Sequence, residues 1–292
     1  AVFSALVNLL YLTPTLYMMQ VYDRVVPTGG VTTLLLITAV AVFALATLAG
    51  LDWLRTRLLI RAGLRLDSLL ASRVMARIVD RQGGKPATQA LREFDTVRGA
   101  VSGQGVLALF DAPWTPIYLA CCFLLHPAIG ALTLVGACIL FALAVLNERD
   151  SRPRLKKAIQ STNKSYASQE GVAGQTEVVR ALGMRQASIN RQMRDRASAT
   201  HQHADAQFSG GRYTGAIKFL RLVLQSASLG TAAFLAIQGE ISAGAIIAAS
   251  VLLSRSVAPI EALVGAWPNL VQARASWKTL KDLFVETAGV DR

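Results

Sequence analysis

Four stretches of this chain carry no charged side chain over lengths close to or beyond a bilayer's hydrocarbon core. They are 1–22, 31–51, 112–147 and 222–239, with His126 taken as neutral. A fifth stretch, 241–273, is interrupted only by Arg255 and Glu261. A hydrocarbon core about 30 Å thick takes roughly 20 apolar residues of helix, and backbone in lipid must satisfy its own hydrogen bonds. The 36 residues of 112–147 are too long for one span, and His126-Pro127 near their middle predicts a turn. The expectation is six membrane helices, roughly 1–22, 31–52, 106–126, 128–147, 216–238 and 241–266. Composition agrees: 16% of residues are charged and the mean hydropathy is +0.42, whereas soluble domains average about 25% charged.

The first run has no basic residues ahead of it and no A-x-A cleavage pattern, so it reads as a span and not a signal peptide. It starts already apolar, which predicts further residues before Ala1. Within YMMQVYDRVVPTGG (17–30) the run meets Asp23-Arg24, then Pro27, Gly29 and Gly30, and is expected to surface there. Cys121, Cys122 and Cys138 lie in apolar segments and read as small buried hydrophobes.

The net charge of +12 is distributed unevenly. Of the 30 Lys and Arg, ten lie in 53–111 and fourteen in 147–221. The loops at the opposite helix ends, DRVVPTGG, HPA and QGE, hold only Arg24. Basic residues accumulate on the cytoplasmic side, so the two long segments and both termini are expected inside. Topology accounts for the basic excess, and no nucleic-acid partner is needed to explain it.

The two inner segments read as long helical hairpins, roughly 53–105 and 148–215. In the first, Arg57, Arg61, Arg65, Arg73, Arg77 and Arg81 form a four-residue ladder. RQGGKPAT (81–88) breaks it, and LREFDTVRGAV leads back. In the second, Leu155, Ile159, Thr162 and Tyr166 recur at helical spacing. Each arm would reach roughly 40 Å at 1.5 Å per residue. Long inner hairpins with minimal outer loops suggest a lever coupled to a soluble motor. The alternative from another class is a non-transporting scaffold or sensor.

Several long segments carry a resemblance: LYMMQVYDRVVPTGG (16–30), DWLRTRLLIRAGLRLD (52–67), LREFDTVRGAVSGQGVLALFDAPWTPIYLACCFLLHPAIG (91–130), QTEVVRALGM (175–184) and SRSVAPIEALVGAWPNLVQARASWKTL (254–280). Together they resemble the ABC exporters. More narrowly, they look like the ATPase-permeases of type I protein secretion, which export bacterial proteases, lipases and haem-acquisition proteins. The resemblance implies an all-α integral membrane fold: a six-helix ABC exporter transmembrane domain over 1–285, with two long cytoplasmic helical hairpins and a domain-swapped homodimer. Residues 286–292 would begin a linker to a nucleotide-binding domain. It further implies an ATP-hydrolysing parent that uses ATP and Mg in that domain. The implied partners are a second copy, a periplasmic membrane-fusion adaptor, an outer-membrane channel, membrane lipid and an unfolded secreted protein. The setting would be the bacterial inner membrane. An exporter of peptides or lipids would share this fold.

The chain itself has no G-x-x-x-x-G-K-[ST] string to cradle phosphates. VSGQG (101–105) and FSGG (208–211) are fragments without a P-loop ahead of them, and read as flexible or close-packing points. His201 and His203, two apart, do not share a helix face, and Asp52 and Glu261 have no paired carboxylate at an active-site spacing. No catalytic, cofactor or metal residues are expected in this chain.

The candidate functional residues are therefore mechanical. Arg255 and Glu261, with Pro259 between them, fall in the last span. An ionisable group in a span faces protein or a water cavity, so they are candidates for the translocation path. The alternatives are a structural ion pair or a helix already emerging. Lys218 and Arg221 share a face and would either line the inner mouth or snorkel to headgroups. The arginine ladder is either a solvated face or a basic vestibule for an acidic chain. Tyr22, Asp23 and Arg24 are placed by the resemblance at an outer gate, the alternative being a helix-end ion pair. The resemblance also has the hairpin tips seated in nucleotide-binding domains, the second in the partner subunit's domain. The candidates there are Lys85, Gln89 and Leu91 at the first tip, and Met184, Arg185 and Ile189 at the second.

Overall fold

The computed structural model describes residues 2–79 and 87–287, and among them there are helices and turns but no strand. The expected first span is a relay of short pieces: α1 (Val2–Leu10), α2 (Thr13–Gln20), a π-helical turn (Val21–Val25) and α3 (Val26–Thr28). Pro14 lies in the first turn of α2, where a residue without N–H costs nothing because that donor has no helical partner. The helix does not stop at Asp23-Arg24. It passes through the π turn and ends at Gly29, whose φ of +61° is left-handed and suits glycine.

α4 (Val31–Val79) then runs 49 residues without a break. α5 (Ala87–Val101) and α6 (Gln104–Asp111) follow, then a 3-10 turn (Ala112–Trp114) and α7 (Thr115–Leu125). His126 is extended, at φ −163° and ψ 139°. The pyrrolidine ring of Pro127 disfavours helical backbone in the residue before it, so the predicted turn lies there. α8 (Pro127–Gly174) and α10 (Arg185–Ile237) flank the short α9 (Thr176–Ala181), and α11 (Ala243–Thr287) ends the described chain. Gly183 and Gly239 close the turns after α9 and α10 with φ of +66° and +78°.

Among the described residues, five segments have the length and apolar character to cross a membrane: Val31–Ile78, Ala90–Leu125, Pro127–Gly174, Arg185–Ile237 and Ala243–Val285. They overlap the stretches 31–52, 106–126, 128–147, 216–238 and 241–266. The short helices of 1–22 do not meet that length individually.

The residues divide into two units. The first comprises Ala1–Ile60, Val106–Val145 and Thr214–Gly265. One of its cores gathers Tyr118, Cys122, Ile129, Ala232, Leu235, Ala249 and Leu252. Another gathers Leu140, Ile217, Leu224, Leu253, Val257 and Val264. Here Gly136 lets two helices meet: a Cβ on it would lie 2.7 Å from Leu224 Cδ1.

The second unit comprises Arg61–Gly105, Leu146–Tyr213 and Ala266–Arg292. Its apolar centre is Val74, Phe94, Val97 and Leu280. Gly105 packs closely there, since a Cβ would come within 3.1 Å of Ala266 Cβ. Gly210 and Gly211 of the FSGG string lie inside α10, where a Cβ on either would meet nothing within 4 Å.

Candidate functional site

In the first unit the polar groups that need explanation lie where α1, α4, α6, α7 and α11 meet. Asn8 is 4% exposed. Its carbonyl and Oδ1 accept from Tyr118 Oη at 2.8 and 3.0 Å, and its Nδ2 donates to Asp111 Oδ1 at 2.9 Å. Asp111 also accepts from Arg55 Nη1 at 2.7 Å, and Arg55 Nη2 donates to Asp52 at 2.9 Å. Polar groups removed from water have to be paired, and here one chain of bonds pairs side chains from four helices. Two carboxylates share one guanidinium, and charge-assisted bonds of this kind are about twice as strong as neutral ones. No part of this network was anticipated from sequence. Asp52 has no paired carboxylate at an active-site spacing in the sequence, and the carboxylate that shares Arg55 with it is 59 positions away. The signal that was available is Asp111, a carboxylate at the edge of the uncharged 112–147 run.

Arg255 of α11 lies with its guanidinium 4.0 Å from the centre of the Tyr11 ring, a cation–π geometry that lets a cation reside among apolar helices. It does not pair with Glu261. Six positions along a helix rotate a side chain by about 240°, so the two diverge. Glu261 instead pairs with Arg221 of α10, Nε to Oε2 at 3.3 Å. Of the four residues expected along a path, the structure brings together Arg221 and Glu261. Lys218 is exposed, and Arg255 faces Tyr11. α11 is continuous through Pro259, which has no N–H to offer the Arg255 carbonyl.

At the other end of α2, Asp23 is not in a helix-end ion pair with Arg24. Its Oδ2 accepts from Ser242 Oγ at 2.6 Å and its Oδ1 from the Gly244 amide at 2.7 Å. Tyr22 and Arg24 are exposed. Nearby, His126 Nδ1 accepts from the Ala128 amide at 3.1 Å, and Nε2 meets Glu240 at 2.9 Å.

In the second unit, the first-tip candidate Lys85 lies outside the described residues. Gln89 is in α5, and Leu91 is half-buried. At the second tip Met184, Arg185 and Ile189 are exposed, beside exposed Val178 and Leu182. Farther along, Ser209 donates to Asp150 Oδ2 at 2.6 Å and Arg154 donates to Oδ1 at 3.1 Å. The Ser209 bond, then the Arg154 bond, hold the Asp150 carboxyl below the usual aspartate range.

Comparison with known proteins places this geometry. A family model described as the ABC transporter transmembrane region matches residues 1–259. The type I secretion system ATP-binding protein PrsD of Rhizobium meliloti (strain 1021) is 38% identical over 286 residues, 96% of this chain and 49% of that protein. The toxin RTX-I translocation ATP-binding protein of Actinobacillus pleuropneumoniae is 24% identical over 96% of this chain and 41% of its own length. The alpha-hemolysin translocation ATP-binding protein HlyB of Escherichia coli is 23% identical over 97% and 41%. A solved structure of a bacterial Atm1-family ABC exporter with ATP bound superimposes with a TM-score of 0.79 at 14% identity, covering 98% of this chain and 52% of that one. That likeness is one of fold. The chain thus spans about half the length of the curated relatives it matches.

Proposed function

The chain belongs to the family of ABC transporter transmembrane regions, and from that premise we propose that it is the membrane-spanning permease part of an ATP-driven type I secretion exporter. The exporter moves unfolded proteins out of the cytoplasm through a periplasmic adaptor and an outer-membrane channel. The observation that carries this reading is the 38% identity, over 96% of the chain, to a relative named as a type I secretion ATP-binding protein.

In this reading the chain supplies path and levers, and an ATP-binding domain that uses Mg supplies the energy. The chain has no P-loop string of its own. It works as a homodimer in the bacterial inner membrane, with both termini and both hairpins inside. Arg255, Lys218 and the Arg221–Glu261 pair lie along the path. The pair keeps two charges compensated in an apolar unit, where an isolated one would be costly. The exposed apolar residues Leu182, Met184 and Ile189 are the seat of the second lever in the motor domain.

The test is deletion of the full-length gene, followed by comparison of the proteins, peptides and lipids outside the cell. At least one secreted protein should vanish from the medium and accumulate inside, and return with the gene. Unchanged secreted proteins alongside a lost peptide or lipid would refute the protein-export reading.

A further inference from the structure

In the second unit α8 and α10 leave a cleft of about 340 Å³ between them, and its lining among the described residues is polar throughout. From α8 come Lys157, Ser161, Lys164 and Ser165, at spacings that keep them on one helix face. From α10 come Asp195, Ser198 and Gln202, again on one face. Buried neighbours on the two helices, Ala158 and Ala199, are small. Voids larger than a water molecule are few in a packed protein, and small-molecule sites begin at roughly 300 Å³. The cleft is therefore of ligand size.

Its lining groups do not satisfy one another. Among the described residues, Lys157, Lys164 and Asp195 are in no ion pair. Asp195 Oδ2 accepts from Ser168 Oγ at the long distance of 3.5 Å. Ser165 is 5% exposed, and its Oγ accepts from Gln169 Nε2 at 3.3 Å. Its own proton goes to no acceptor among the described residues. A buried hydroxyl proton left over is a cost that a bound acceptor removes. The two lysines are seven residues apart, about 10 Å along the helix, a separation that suits two anionic groups better than one. Lysine ammonium groups are phosphate binders. A carboxylate can only accept hydrogen bonds, so Asp195 requires donors on the ligand. An amine would bring a third cation between the lysines, so hydroxyls fit better. Lys164 is seventeen residues past Asn147, where the uncharged run ends, or roughly 25 Å along α8. That distance puts a lipid headgroup out of reach and selects a soluble ligand.

We propose that the α8–α10 cleft is a binding site for a soluble sugar or polyol bisphosphate. One phosphate lies at Lys157 and the other at Lys164, where the Ser161 and Ser165 hydroxyls donate to phosphate oxygens. The ligand's hydroxyls donate to Asp195 and bond Gln202. An occupant held by both helices braces α8 against α10. The proposal goes beyond the exporter reading above and does not depend on it.

The test is titration calorimetry on the full-length protein in phosphatidylcholine nanodiscs, with Mg-ADP present to fill an ATP-binding domain. The probe is fructose 1,6-bisphosphate, and 1,6-hexanediol bisphosphate is its hydroxyl-free counterpart. Saturable binding of the sugar bisphosphate is expected, and no binding at millimolar concentration overturns the proposal. Lys157→Gln and Lys164→Gln should each weaken binding about tenfold, the effect of one charge-assisted bond. Lys156→Gln, at an adjacent lysine outside the cleft, should not. Equal loss in all three variants would mean a diffuse basic surface and no site. Asp195→Asn should weaken the sugar bisphosphate and strengthen hexanediol bisphosphate, because it removes a negative charge that only hydroxyls can use. Strengthening of both ligands would overturn the hydroxyl assignment. Adding phosphatidylglycerol to the nanodiscs should leave binding unchanged, and competition by that lipid would make a headgroup the occupant and overturn the soluble ligand.

Discussion

Replacing Arg55 with Met removes the one guanidinium that Asp52 and Asp111 share. The guanidinium-bearing side chain is 11% exposed, Asp111 20% and Asp52 45%. Breaking a buried pair by removing one partner costs roughly 3–5 kcal/mol, while an exposed pair is worth about 0–1 kcal/mol. The Asp111 side lies nearer the first limit and the Asp52 side nearer the second. The expected loss is therefore roughly 2–3 kcal/mol. Most of it arises from leaving the Asp111 carboxylate poorly solvated, not from losing an attraction. That origin has a consequence: adding Asp111→Asn should restore roughly 1–2 kcal/mol, since Asn keeps an acceptor for Asn8 Nδ2 and carries no charge. The assay is equilibrium unfolding of the full-length protein in mixed micelles, for the wild type, both single variants and the double variant. A double variant no more stable than Arg55→Met alone would refute the uncompensated-charge argument and leave packing of the arginine stem as the cause.

Two further outcomes are expected. Asp150 has a folded-state carboxyl below the ordinary aspartate value, held there first by Ser209 and then by Arg154. Its contribution is therefore present above the unfolded value of about 3.9 and is lost as pH falls through the lower folded value. Ser209→Ala or Asp150→Asn should flatten the loss of amide-exchange protection of α8 and α10 as pH drops below about 4, and an unaltered acid profile would argue against this pair. Under the proposed exporter function, Met184→Asp with Ile189→Asp at the second hairpin tip of the full-length protein should leave membrane insertion intact while altering ATPase activity and abolishing export. Each buried apolar anchor is worth roughly 1.5–3 kcal/mol, so losing two shifts docking by a few powers of ten. Unchanged export would show that these side chains are not the seat.

Much of the fold could be read along the chain because its cause is local. Uncharged runs such as 31–51 and 112–147 have one low-energy answer in lipid, a helix that satisfies its own backbone. His126-Pro127 ends a helix through the sterics of neighbouring residues. The first run shows where that logic stops. It is uncharged across 1–22, but the backbone breaks at Tyr11–Leu12, just ahead of Thr13-Pro14-Thr15, and widens into a π turn at Val21–Val25. Asp23-Arg24 looked like an acid–base pair at a helix end, and the helix continues past it.

Charge in a span marked Arg255, Glu261 and Arg221 as residues needing an explanation, because an unpaired ion there is costly wherever the helix lies. It could not name their partners. That Glu261 meets Arg221, that Arg255 stacks on Tyr11, and that Asp23 bonds the amide of Gly244 are contacts between helices. The order of residues along the chain settles which segments are helical and apolar and which side chains must be compensated. Who compensates whom follows from the three-dimensional packing, because partners 40 to 244 positions apart meet through the azimuth and packing of whole helices, and neither is encoded by any residue's neighbours in the chain.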